Sequence, residues 1–378
     1  MKNKKFDYII TGGGASGLTL AYLLMESKDK EKSILIIDRD NKSQNDRTWC
    51  FWEQGNNLFE NLVYHRWNNA RVAYGSFQKK FHLPPYTYKM IRGIDFYVFM
   101  KNYLASKPQV TWVQEEVTLI ENSGFVHTNQ NTYSGQLIFD STFDPKSLNE
   151  SNSVTLLQHF RGKIISTNQA HFDPLTCTYM DFRMPQQGDC RFGYVLPFTD
   201  KKALVEYTIF NQKLLSEEAY EQGLAEYINQ LGIDAYETHE IEKGVIPMTD
   251  YPFLIKQSDR VYCIGIKGGF VKASTGYSFL RAQKILTQMV LNLENGHSPD
   301  KNLPYQSARF KRYDATLLDV LANGTYGGAD IFGRLFEKNG AHAVFKFLDE
   351  ETHLLEEIKI MTSLPTWGFS KSFVKQFL

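Results

Sequence analysis

Short apolar runs near the amino terminus flank one stretch of helical patterning, which predicts a strand–helix–strand unit. Asp7–Thr11 reads as a strand, Gly12–Gly17 as a turn and Leu18–Met25 as a small, apolar helix. Ile34–Ile37 is wholly apolar, the pattern of a strand buried in a parallel sheet. After Asp38 a polar loop, Arg39–Arg47, runs into the aromatic group Thr48-Trp49-Cys50-Phe51-Trp52. A helix is predicted from Phe96 to Leu104. Strand-like, turn-punctuated sequence fills Val110 to Phe192, with β-branched runs at Val154–Leu157 and Lys163–Thr167. Tyr194–Pro197 and Ala203–Phe210 read as two strands joined by the turn Thr199-Asp200-Lys201-Lys202. Ser216–Leu231 is a predicted helix. Val261–Ile264 returns to the parallel-sheet pattern, enters a second glycine-rich turn at Gly265–Gly269, and precedes a helix from Tyr277 to Leu293. Beyond a boundary at Asn295–Pro299 the pattern is helical, with Phe345, Leu348, Thr352, Leu355 and Ile358 at helical spacing.

Composition narrows the function classes. A chain of 378 residues with 42% hydrophobic and 22% charged residues forms two or three globular domains. Lysine plus arginine equals aspartate plus glutamate at 42 each, so the broad basic footprint of a nucleic-acid binder is missing. Aromatic residues reach 14%, which suits either an apolar ligand tunnel or an aromatic-rich core. Cys50, Cys177, Cys190 and Cys263 are scattered without a CxxC pair, which argues against a zinc site or a disulfide framework and fits a reducing compartment. The uncharged stretch Tyr8–Met25, about 18 residues, touches the length of a membrane span. Its glycine-rich interior argues against one, and it lacks a signal-peptide cleavage site. A cytoplasmic protein with peripheral membrane contact is expected, binding neither nucleic acid nor metal.

The first turn carries chemistry. Gly12, Gly14 and Gly17 form G-x-G-x-x-G between a strand and a helix, and Asp38 closes the next strand about 20 residues on. Gly12 makes the tight turn, Gly14 admits the pyrophosphate, and Gly17 lets the helix pack closely. The helix N-terminus faces the phosphates and Asp38 holds a ribose. A fingerprint so close to the amino terminus is typical of FAD domains. The segment Val261–Gly269 also resembles the late flavin-contacting segment of FAD monooxygenases and reductases, with Gly265-Ile266 where those families carry Gly-Asp. The candidate FAD contacts are therefore Gly12, Gly14, Ser16, Gly17, Asp38 and Arg39 at the first turn. Gly265, Gly268, Gly269, Lys272, Thr275 and Gly276 supply the second. Leu137–Asp140 is a candidate crossover strand beside the adenosine.

Several further segments, in order over roughly residues 5 to 290, resemble the lycopene β-cyclase family. Arg47–Trp52 resembles its aromatic segment, Gln158-His159-Phe160-Arg161-Gly162 its QHF-x-G, and Met180–Arg183 its MD-aromatic-R. Leu204-Val205-Glu206-Tyr207-Thr208 resembles the acidic LxE-acid-T motif. Glu242–Met248 is similar to E-x-G-x-IPM, and Ser274–Ser278 to S/T-TGY-S. Three departures stand out: Tyr207 replaces a second acid, Lys272-Ala273 replaces a histidine and proline, and Thr249-Asp250 replaces glycines.

The resemblance implies an α/β flavoprotein with a Rossmann-type, glutathione-reductase-like FAD domain, an antiparallel-sheet substrate domain and a helical C-terminus. The expected division is 1–75, 90–160 and 255–298 for FAD, 76–89 and 161–254 for substrate, and 299–378 for the helical region. It implies non-covalent reduced FAD, NAD(P)H as reductant, and conversion of the acyclic ψ-ends of lycopene to β-rings, giving γ- and β-carotene without net redox change. The alternative is an FAD-dependent polyprenyl reductase or aromatic hydroxylase.

Cyclising a hydrocarbon needs an apolar tunnel, a strong acid and a means of stabilising carbocations. Protonation at C2 places charge on C1, the neighbouring double bond closes the ring, and loss of the C6 proton gives the β-ring. Glu206 is the candidate acid: on a strand it shares a face with Leu204 and Thr208, and burial there would keep it protonated. Asp181 either orients or deprotonates the substrate, or pairs with Arg183 or Arg191. Glu242 reads as a supporting or salt-bridged acid. Trp49, Phe51, Trp52 and Tyr207 are candidate substrate contacts, with π-faces suited to a cation. Lys272 either stabilises a reduced flavin anion or is an exposed loop lysine. Leu364, Trp367, Phe369, Phe373, Phe377 and Leu378, interleaved with Lys371 and Lys375, are either a bilayer contact or a terminal helix packed on the protein's own core.

Overall fold

The computed structural model describes residues 4–150 and 152–377, omitting the side chains of 149 and 150. Its first elements are β1 (Lys4–Thr11), α1 (Ala15–Met25) and β2 (Ile34–Asp38). Then come β3 (Thr48–Gln54), β4 (His65–Trp67), β5 (Asn69–Tyr74), β6 (Phe77–His82), β7 (Tyr86–Arg92) and α2 (Gly93–Ala105). The next group is β8 (Val110–Gln114), β9 (Val117–Ile120), β10 (Phe125–Thr128) and β11 (Thr132–Asp140). The chain continues with β12 (Thr155–Ser166), β13 (Thr176–Asp181), β14 (Cys190–Pro197), β15 (Lys202–Asn211), α3 (Glu217–Gln230) and β16 (Glu237–Thr249). Last are β17 (Val261–Cys263), α4 (Phe279–Glu294), α5 (Ala308–Ala322), α6 (Gly328–Leu348), α7 (Leu354–Thr362) and α8 (Thr366–Lys375).

The first sheet runs β8-β2-β1-β11, all parallel, with the antiparallel β10 and β9 beyond. β11 shares its outer edge between β10 and the parallel β17. Ile34 to Ile37 are fully buried, as their unbroken apolar run requires. α1, α2 and α4 cover one face through Leu20, Phe96 and Leu286. Ile9, Leu35, Ile37 and Ile138 pack on the other.

The second sheet, β16-β12-β15-β14-β13-β5-β6, carries α3 on one face. Strand alternation sorts β15 as expected: Val205, Tyr207 and Ile209 pack with Tyr220 and Leu224 of α3, while Leu204, Glu206 and Thr208 take the opposite face. A small third sheet, β3-β7-β4, bridges the two.

Three details differ from the sequence pattern. β5 joins the second sheet by pairing in parallel with β13, and β12 enters that sheet at Thr155. The runs at Val154–Leu157 and Lys163–Thr167 form one strand of 12 residues, hydrogen-bonded on both edges, which carries the intervening polar residues across the sheet. The periodic run from Phe345 to Ile358 is two helices. Glu350 takes a left-handed conformation (φ 65°), and Glu356 caps α7 by accepting from the His353 amide at 2.9 Å, leaving Leu355 exposed. α6 is itself interrupted at Gly340 (φ 75°).

Candidate active site

One large cavity, about 880 Å³, lies between the two sheets. It is lined at one end by Gly12, Gly14, Ser16, Asp38 and Arg39, in the middle by Trp49, Gln158, Glu206 and Glu242, and at the far end by Leu364, Phe369 and Phe373 of the C-terminal region. Gly12 sits at φ 96°, a conformation that favours glycine. A Cβ at Gly14 would meet no protein atom within 4 Å, so the backbone there is open to a ligand, whereas a methyl at Gly17 would run into the Gly12 carbonyl. Asp38 is fixed at the edge of this cleft, accepting from the Gly13 amide at 2.5 Å and pairing with Lys42 at 3.5 Å.

The second glycine turn closes over the first. A Cβ on Gly265 (φ 64°) would lie 3.3 Å from Ser16 Oγ, so turns distant in sequence form one cleft. Thr275 and Gly276 line the same cavity. Gln158 Oε1 and Ser274 Oγ, also in its wall, are buried without a hydrogen-bond partner among the described residues. A cradle of glycines followed by orphaned polar atoms fits a dinucleotide bearing a polar ring system. Gly268 and Gly269 shape the turn from behind: Gly268 backs onto the Cys263 carbonyl, and Tyr305 donates to the Gly269 carbonyl at 2.9 Å.

The catalytic candidates separate. Glu206 is in the cavity wall, 7% exposed, and across β12 stands Glu242, 8% exposed. Neither has a cationic partner among the described residues; Thr48 Oγ1 donates to Glu242 Oε2 at 2.7 Å. Burial pushes the Glu206 carboxyl well above the usual range, and the neighbouring Glu242 charge adds to it. Burial also pushes Glu242 up to about 7, opposed by its hydrogen bonds from Thr48 and assisted by Glu240 and Asp46. The adjoining wall is aromatic. Tyr194 pairs with Glu206 across the strands, and its phenol meets Tyr88 at 2.5 Å, which meets Tyr277 at 2.8 Å. These phenols form a hydrogen-bonded chain. Trp49 lines the cavity, stacked on Phe279 at 5.3 Å.

Five candidates lie elsewhere. Asp181 is outside this cavity and accepts from Arg183 Nε at 2.9 Å and Nη2 at 2.7 Å, which makes it a structural ion pair. Tyr207 packs under α3 and accepts from Arg191 Nη1 at 2.8 Å. Phe51 is stacked in the first core on Phe279, and Trp52 stacks on Phe345 while its indole donates to Asp349 at 2.9 Å. Lys272 is held between Asp314 at 3.1 Å and Glu350 at 2.9 Å, facing a neighbouring cavity. Those two carboxylates neutralise the charge expected to face a flavin. Glu242, read from the sequence as a supporting or salt-bridged acid, forms no ion pair among the described residues, and the tyrosine chain was not read from the pattern. An interior strand glycine, Gly162, was the available signal that something approaches closely there.

A family model described as lycopene cyclase protein matches residues 7–373. The chain belongs to the lycopene cyclase family. It is 24% identical over 285 residues to a lycopene beta-cyclase of Pantoea ananas, covering 72% of this chain and 71% of that protein. It is 27% identical over 151 residues to the lycopene beta-cyclase of a Paracoccus species, covering 38% and 39%. Solved structures sharing the fold include a geranylgeranyl bacteriochlorophyll reductase-like protein of Thermoplasma acidophilum (TM-score 0.68, 12% identity, 99% and 100% covered). A flavin-dependent brominase follows at 0.60 with 10% identity and 99% of each chain covered. The fold of this lycopene cyclase family member is thus the α/β architecture found in flavin-dependent enzymes. Among the described residues no cluster suited to a metal ion occurs, and no helix is long and apolar enough to cross a membrane.

Proposed function

We propose that this chain converts the acyclic ends of lycopene, or a related carotenoid, to β-rings by an acid-initiated, non-redox isomerisation that requires reduced FAD. The observation that carries the reading is a carboxyl, Glu206, buried in the wall of an aromatic-lined cavity continuous with the glycine-rich cleft, where burial pushes its pKa well above the usual carboxylate range. Gly12, Gly14, Ser16, Asp38, Gly265, Thr275 and Gly276 would hold the FAD, and Gln158 and Ser274 offer polar atoms to it. The reduced flavin, when bound, supplies negative charge that stabilises a nearby carbocation. Glu206 delivers its proton to C2. Trp49 and Tyr194 present π-faces to the resulting cation, and the apolar wall excludes water that would capture it.

Expression in lycopene-accumulating bacteria is expected to yield γ- or β-carotene. With the purified holoenzyme, NAD(P)H should serve only to reduce the flavin, so rings should accumulate far beyond nicotinamide consumed. One nicotinamide per product would support the reductase or hydroxylase instead.

A lipid-soluble substrate also calls for peripheral docking on a bilayer. Leu364, Phe369 and Phe373 are half-buried and line the cavity, and Lys375, itself exposed, pairs with Asp319 at 2.7 Å. Leu378 lies outside the described residues. What remains exposed beside the cavity's far end is Leu354, Leu355, Ile358, Trp367, Val374 and Phe377. Replacing Leu355 and Trp367 with serine should weaken sedimentation with anionic vesicles by about tenfold or more, since each side chain buried in lipid contributes roughly 1.5–3 kcal/mol. FAD content should not change. Undiminished vesicle binding would remove this surface from the reading.

A further inference from the structure

We infer that Glu242 is the base that completes the ring, its carboxylate standing beside Glu206 across Gly162 and taking the proton from C6. The inference rests on the cyclase reading above. β12 is flanked by β15 and β16, and the strand registers place Glu206 on one side of Gly162 and Glu242 on the other. Only a glycine fits between them. A Cβ at 162 would lie 2.7 Å from Glu206 Cγ and 3.4 Å from its Oε1, so the Glu206 side chain leans over the central strand into the space the glycine leaves. Both acids line the same cavity. The Thr48 hydroxyl anchors one oxygen of Glu242, which orients its carboxyl within that wall.

The chemistry needs two groups so placed, because C2 and C6 are both bonded to C1. The Glu206 O–H bond breaks and a C2–H bond forms, leaving the positive charge on C1. The π-pair of the C5–C6 double bond forms the C1–C6 bond, which moves the charge to C5. Glu242 then removes the C6 proton, and the electrons of that C–H bond restore the C5–C6 double bond. One proton has entered and one has left. Its return from Glu242 to Glu206 resets the pair without any co-reactant, as an isomerisation requires. A carboxyl poised near neutrality is suited to accept it. The other acids nearby are less suited: Glu240 is exposed, and Asp181 is ion-paired outside the cavity.

Ring type is the readout, because a purely structural role for Glu242 would not change it. A C5 cation that keeps its C6 proton loses one from C4, giving an ε-ring, or from the attached methyl, giving an exocyclic γ-ring. The FAD-loaded Glu242→Gln variant, assayed with lycopene in vesicles, should form β-rings about a hundredfold or more slowly, with ε- or γ-ends among its residual products. Thr48→Val, which keeps the carboxylate but frees its anchored oxygen, should raise the share of ε- and γ-ends at a measurable rate. Exclusively β-ended products from both variants would overturn the assignment. If Glu242→Gln forms no ring, Thr48→Val decides: a changed ring ratio supports the base, and β-ends alone refute it. A wild-type holoenzyme that forms no rings refutes the cyclase reading itself.

Discussion

Glu206→Gln should retain FAD and fold while cyclisation falls by about 10²–10⁴-fold, the usual contribution of a positioned acid. Glutamine keeps the side chain's size and its hydrogen bonding but has no acidic proton to give. The same substitution should show in stability, with a definite sign. Burial raises the Glu206 pKa in the folded protein above its ordinary 4.5, so between those two values the folded state binds more protons than the unfolded one. Stability is therefore fully present below about pH 4.5 and declines as pH rises toward the folded-state value. Glutamine removes that decline. The difference in melting temperature between variant and wild type should move in the variant's favour from pH 6 to pH 8. An unchanged turnover would displace Glu206 as the acid, and a parallel pH dependence of the two melting temperatures would contradict its burial as a neutral group.

Gly14→Val should abolish flavin retention in a protein that folds normally. A Cβ at 14 meets no protein atom within 4 Å, so the backbone there has room for a branched side chain, which would extend into the cleft where a pyrophosphate would lie. The variant should purify colourless, with unaltered far-ultraviolet circular dichroism. Gly17→Val makes the informative contrast, because a side chain there collides with the Gly12 carbonyl and should damage the fold itself. A fully yellow Gly14→Val protein would remove the first glycine turn from the cofactor site.

Much of this was legible from local pattern. The strand–helix–strand unit and the face of Glu206 follow from periodicities of a few residues, and the structure keeps them. Asp181 takes the second of the two readings its sequence left open, pairing with Arg183, whereas the Arg191 partner of Tyr207 could not be read from its motif. Lys272 shows the same limit, since Asp314 and Glu350 come from segments far along the chain. The pairing of Glu206 with Glu242 was hidden for another reason. It depends on the register of three strands, and register is a long-range property of the sheet.

That register has a consequence for how such proteins can diverge. Glu206, Gly162 and Glu242 form one row across β15, β12 and β16, with a bulge in the β12–β16 ladder between Ile164 and Ile165. Substitutions around the row need only preserve apolar character, which is compatible with relatives at 24% identity. Length changes are another matter. A residue inserted after α3, ahead of β16, adds to a surface connection, but one inserted between Ile241 and Gly244 turns every following side chain of that strand to the opposite face. The spacing of the three strands is therefore the constraint on this row: an extra residue keeps Glu206 and Glu242 on one face only where a turn or a bulge, such as that beside Ile164 and Ile165, takes it up.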